Sequence, residues 1–183
     1  WEVFNRAQKG YSPKYCLPAI WVQAGGTPVT RVLEARFQPP YAGANGLGYR
    51  SAPGLPRLAS ASFTGEFPLA RVDFQDPELP VRVSLEAFTP FIPLDAEASG
   101  LPAAVLRYRI RNPGKREAAV SIAFALNNPV GDAGRTNDFR SGDGLRGLLM
   151  HNPFLGASDP MKGTFALALL GGEDGRFTYQ RGW

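Results

Sequence analysis

The residues able to do chemistry are few in this 183-residue sequence, and their spacing limits what they can do. Acid–base hydrolysis needs two carboxylates held at a defined separation. Asp76 and Glu78 in FQDPELP are close in sequence, but the flanking prolines make a tight surface connection, and Asp before Pro commonly starts a turn. Asp95 and Glu97 in PLDAEASG read as the cap and first turn of a short helix. Asp132, Asp138 and Asp143 lie in the polar run NNPVGDAGRTNDFRSGDG. A calcium loop would offer oxygen ligands at alternate positions and close on Glu, and neither feature is present. Solvated hairpin tips are the expectation for this run.

Other chemistries fare no better. The single histidine, His151, follows a strand-like GLLM; with no nucleophile elbow beside it, it reads as a strand-end residue satisfied by backbone. One cysteine, Cys16, allows neither an internal disulfide nor a Cys/His zinc site, and it reads as a small buried hydrophobe. Gly43, Gly46 and Gly48 do not lead from a strand into a helix, so no phosphate-binding fingerprint is formed. The expectation is therefore no catalytic residue, no metal site and no cofactor within the chain. Trp1, Trp21, Tyr41, Tyr49, Phe91 and Tyr179 could stack on sugar rings, although aromatics in β-proteins more often fill the core.

The elements that would position these groups are strands. Val81, Val83, Leu85 and Ala87 alternate with Arg82, Ser84 and Glu86; Ala70, Val72 and Phe74 alternate with Arg71 and Asp73; Leu106, Tyr108 and Ile110 alternate with Arg107, Arg109 and Arg111. Period-two alternation is the signature of half-buried strands. In AAVSIAFAL the bulky Val120, Ile122, Phe124 and Leu126 alternate with small Ser121, Ala123 and Ala125, which predicts a central strand covered on both faces. Further strands are expected at Ile20–Gln23, Val29–Phe37 and Thr164–Leu170. No long helical period occurs, and Pro102 limits any helix after Asp95. About eight to ten strands at this spacing predict an all-β fold, a sandwich of two antiparallel sheets with long Gly/Pro-rich loops. The long connections Pro39–Ser60, Thr89–Pro102 and Asn127–Gly144 are expected to form docking surface.

Composition agrees. With 44% hydrophobic and 20% charged residues the chain is globular, and its 21 Gly and 17 Pro punctuate short apolar runs. The net charge of +4 comes from 16 Arg and 4 Lys without a block of like charges. The alternating arginines read as the solvated or interface face of a sheet, and no nucleic-acid partner is expected. No apolar run is long enough for a transmembrane segment. Lone-cysteine usage fits a reducing compartment, and a cytoplasmic location is the expectation. Trp1 and Trp183 at the two ends read as cuts from a longer polypeptide.

WEVFNR at Trp1–Arg6 resembles the start of the amino-terminal domain of bacterial glucosylceramidase-like proteins, the family 116 glycoside hydrolases. The block from Thr64 to Pro113 resembles it too, with prolines and acidic turns in the family's order, as do AFALNNPVG and GTFALALL. The resemblance implies an amino-terminal β-sandwich followed by an (α/α)6 helical barrel, in a retaining enzyme acting on β-glucosides, including glucosylceramide. It places both catalytic carboxylates in the barrel, and no position here matches either motif. The Gly-rich segment that precedes WEVFNR in the family is absent, and a shorter relative without a catalytic half is the alternative to a fragment.

Residues 1–183 are thus expected to form a single, non-catalytic β-sandwich domain supporting a retaining β-glucosidase or glucosylceramidase. Its partner would be the carboxy-terminal helical catalytic domain of the same polypeptide, with a β-glucoside as the parent's substrate. Phe91, Pro93, Asn127 and Asn128 are the expected domain-interface or sugar-site loop residues, because they join apolar tips to rigid prolines. The rival is a stand-alone carbohydrate-binding module, which predicts two or three coplanar exposed aromatics on one face.

Overall fold

Alternation along the chain becomes two layers when each strand turns its apolar set the same way. The computed structural model describes residues 15–36, 54–171 and 175–182. The expectations for Trp1–Arg6, Tyr41, Tyr49, Gly43, Gly46, Gly48 and Trp183 fall outside these residues, as does most of the Pro39–Ser60 connection. The described residues divide into two compact units, 15–125 and 126–182.

In residues 15–125 the first sheet contains β1 (Leu17–Gln23), β2 (Val29–Ala35), β3 (Arg57–Leu58) and β8 (Ala119–Ala125), ordered β3-β2-β1-β8. The second contains β4 (Ser60–Glu66), β5 (Leu69–Gln75), β6 (Arg82–Phe88) and β7 (Val105–Arg111), in sequence order. A single helical turn, α1 (Ala96–Ser99), interrupts the β6–β7 connection. Registers Ile20↔Ile122 and Val22↔Val120 put these side chains on one face of the first sheet. Registers Phe74↔Val83 and Val83↔Ile110 do the same in the second. Ile20, Val22, Leu33, Leu58, Leu79, Val81 and Val83 are buried together, with Phe74, Tyr108 and Val120 packed against them. Burying each such aliphatic side chain stabilises the sandwich by roughly 1.5–3 kcal/mol. Burial also pushes the Tyr108 hydroxyl up to about 12.

The predicted β-sandwich is therefore present, with three refinements. β3 pairs with β2 in parallel, which a short hairpin between them could not produce. β8, expected to be central, is the terminal strand of its sheet among the described residues; its alternating bulky and small residues carry no information about lateral neighbours. The third concerns residues 126–182, where β9 (Thr136–Gly142), β10 (Leu145–His151) and β11 (Thr164–Leu170) form a separate antiparallel sheet ordered β11-β10-β9. Seven of the eighteen residues of the expected Asn127–Gly144 loop are thus strand. Its polar alternation, with Asn137, Phe139 and Ser141 on one face and Thr136, Asp138 and Arg140 on the other, hides a strand that lacks an apolar stripe. Asp143 and Gly144 both have positive φ (50° and 74°), the backbone of a two-residue hairpin turn.

Candidate functional site

Asp76, Asp95, Asp138 and His151 each have a hydrogen-bonded structural partner. Asp76 lies in the β5–β6 connection and does start a turn: its Oδ1 accepts the Glu78 amide at 2.9 Å and its carbonyl accepts the Leu79 amide at 3.3 Å. The same residue also reaches inward. Its Oδ2 accepts from Arg31 Nε at 2.7 Å, and the Glu78 carboxylate takes a second guanidinium nitrogen. Arg31 stands on β2 opposite Ile20, on the core-facing side of the first sheet. The Asp76 side chain is only 5% exposed whereas that of Glu78 is 75% exposed. Both charges answer one arginine, which ties the second sheet's loop to the first sheet.

Asp95 caps α1, its Oδ1 accepting the Ala98 amide at 2.8 Å. Cys16 is half-buried, and burial, then the nearby Glu34 charge, push its thiol up to about 11. It is protonated at neutral pH and a poor nucleophile. His151 departs from expectation, for its ring Nε2 pairs with the Asp138 carboxylate at 2.9 Å instead of with backbone. That hydrogen bond, followed by the charges of His151, Arg140 and Arg181, outweighs desolvation and holds Asp138 below the usual carboxylate range. Among the described residues no three His, Cys, Asp or Glu side chains group as metal ligands. The arginine stripe is solvated: Arg107 and Arg109 flank Glu86, and Arg71 pairs with Asp73.

The loop carrying Phe91 and Pro93 has a different construction. Ser99 Oγ accepts the Ile92 amide at 2.9 Å and donates to the Ile92 carbonyl at 3.0 Å. The Asp95 amide donates to the same carbonyl at 3.1 Å, and Ser99 N returns to Asp95 O at 3.1 Å. With its polar groups satisfied internally, the loop turns Phe91, Ile92, Leu94 and Leu101 outward, and Leu94 is fully exposed. Phe91 meets the ring of Phe67 edge-on, with centroids 5.0 Å apart at 71°. Phe67, 80% exposed, occupies the β4–β5 hairpin turn. Sequence reasoning missed Phe67; an aromatic at a turn position, where polar residues are usual, is the signal that could have found it. The result is an exposed apolar tip of the second sheet, built from two connections.

Asn127 and Asn128 belong to the other unit, in the segment before β9, apart in the chain from Phe91 and Pro93. Asn127 is exposed, whereas Asn128 is buried, at 4% exposure. The Asn128 amide donates to Asn137 Oδ1 at 2.8 Å and to Thr136 O at 3.1 Å, while its oxygen accepts the Val130 amide at 2.9 Å. Asn152 straps the same segment by donating to Ala133 O at 2.6 Å and accepting the Phe154 amide at 3.1 Å.

A sugar-stacking platform needs exposed rings in one plane. Phe67 and Phe91 are close to perpendicular. Phe139 and Tyr179 are parallel, at 4.3 Å and 4°, but each stacks on the other. Arg146 lies 5.0 Å over Phe177 beside them.

What the fold and these surfaces define is an all-β domain in which Asp73, Asp76, Glu78, Glu86 and Asp138 sit in ion pairs and the β4–β5 and β6–β7 connections expose an apolar surface. A family model described as beta-glucosidase 2, glycosyl-hydrolase family 116 N-term, matches residues 1–183, and the chain belongs to that amino-terminal domain family.

Proposed function

We propose that this chain is the non-catalytic amino-terminal domain of a retaining β-glucosidase or glucosylceramidase, and that its apolar tip packs against the helical catalytic domain of the same polypeptide. The observation that carries the reading is the clamped β6–β7 loop. Its backbone is internally hydrogen-bonded and, apart from the Phe67–Phe91 contact, leaves Phe91, Ile92, Leu94 and Leu101 largely exposed, so that covering the fully exposed Leu94 alone would recover roughly 1.5–3 kcal/mol. A rigid apolar surface of this kind suits an interface between domains. The β-glucoside would then be bound and cleaved by the partner domain, with this domain bracing it. A cytoplasmic location is part of the proposal and rests on the single, half-buried, protonated Cys16.

The test is Phe67→Asp combined with Phe91→Asp in the full-length enzyme. Turnover of an aryl β-glucoside and the thermal half-life should both fall, while the 183-residue chain with the same changes keeps its β circular dichroism. Unchanged turnover and half-life would overturn the docking role. The isolated wild-type chain should not turn over the substrate, and measurable turnover would overturn the non-catalytic assignment.

A further inference from the structure

The second sheet has two edges of opposite character. β7 carries Arg107, Arg109 and Arg111 on one face, and charge on an edge strand is a standard defence against unwanted pairing. β4 has no such defence. It runs in unbroken register from Ser60↔Gln75 to Glu66↔Leu69, without proline or bulge, and its only charge is at its last residue. All seven of its residues are exposed, Phe63 at 69%, and among the described residues β5 is its only strand partner.

We propose that β4 is a self-pairing edge that joins two copies of this chain antiparallel about a two-fold axis through Phe63. The occupant is argued from the strand itself. An isologous contact must be complementary to its own reversed copy. Reversing SASFTGE about Phe63 sets Ser60 against Glu66, Ala61 against Gly65, and Ser62 against Thr64 of the second copy. No charge meets a like charge, small residues meet small ones, and hydroxyls meet hydroxyls on the polar face. The two Phe63 rings meet each other on the opposite face. Hydroxyl and aromatic cross-strand pairs are stabilising.

The other uncharged terminal strands are of another kind. β8 (AVSIAFA) and β11 (TFALALL) are apolar along almost their whole length, a pattern suited to permanent cover on both faces. β4 keeps Ser60, Ser62, Thr64 and Glu66 on one face and Ala61, Phe63 and Gly65 on the other. A single copy can therefore stand in water with this edge unpaired, as reversible association requires.

The test is sedimentation velocity on the full-length polypeptide as concentration rises, with hydrogen exchange read at residues 60–66. A dimer should form, and the β4 amides should gain protection together with it. The double variant Ser62→Lys/Thr64→Lys sets lysines opposite lysines and should weaken dimerisation roughly tenfold or more. Mixing it with Ser62→Glu/Thr64→Glu should restore a mixed dimer, which a misfolded variant could not do. A species that stays monomeric to about 100 μM overturns the proposal. So does a dimer indifferent to the lysines, or a monomer whose β4 amides are already protected, since an internal strand would then occupy the edge.

Discussion

Two connections of the second sheet reverse the usual placement of polar and apolar groups, in opposite directions. Between β5 and β6 the chain sends a carboxylate inward, where Asp76 meets Arg31 beside the core. Between β6 and β7 it sends Phe91, Ile92 and Leu94 outward, over a loop whose backbone is clamped by Ser99 and Asp95. A buried charge is tolerable only when paired and hydrogen-bonded. A contiguous exposed apolar patch is a common mark of an interaction surface. The β5–β6 connection is thus explained within the chain, as a tie between two sheets, whereas the apolar side chains of the β6–β7 loop stand exposed among the described residues.

The contrast can be broken by experiment. Arg31→Ala leaves the Asp76 carboxylate beside the core without its partner, and the sandwich should lose about 2–3 kcal/mol in urea unfolding. A loss below about 0.5 kcal/mol would mean that water reaches Asp76 freely and that the tie is ornamental. Asp95→Ala should cost less, about 0.5–1 kcal/mol, because it removes a cap from a single helical turn. Its sharper readout is faster hydrogen exchange at Ile92 and Ala98, since the clamp that holds the apolar side chains outward depends on that turn. Unchanged exchange there would remove the reason for calling the loop preorganised.

The smallest effects belong to the solvated faces. Hydrogen bonding to Arg71 lowers Asp73, hydrogen bonding to Arg109 lowers Glu86, and hydrogen bonding to His151 lowers Asp138. A carboxylate lowered on folding adds stability at pH values above its unfolded value near 4, and that stability is lost as pH falls through the lower folded value. The contribution of these three carboxylates should therefore be constant above about pH 5 and decline gradually below about pH 4. NMR titration of the three side chains should give midpoints below the ordinary carboxylate range. Midpoints at or above that range would show that these surface pairs do not persist in solution.

Much of the fold was legible because it is written locally. Period-two alternation identified β5, β6 and β7 and predicted which residues share a face, since successive side chains on a strand must point to opposite sides. The Asp95 cap and the Asp143-Gly144 hairpin were equally readable, each involving groups only a few residues apart. β9 was not readable as a strand, because a strand with polar residues on both faces offers no apolar stripe to detect. The His151–Asp138 pair was missed for a related reason: it forms across two strands whose pairing the residues themselves do not announce.

The sequence by itself determined that this is an all-β chain and which residues share a face of each apolar strand. Only tertiary structure decided which distant residues meet. Arg31 finds Asp76 across 45 positions, Phe67 meets Phe91 from a separate hairpin, and β3 enters the first sheet in parallel after a long excursion. Local patterns constrain each strand's two faces because the backbone imposes that period. Which faces and loops then meet depends on how whole sheets pack, and no short window of residues carries that information.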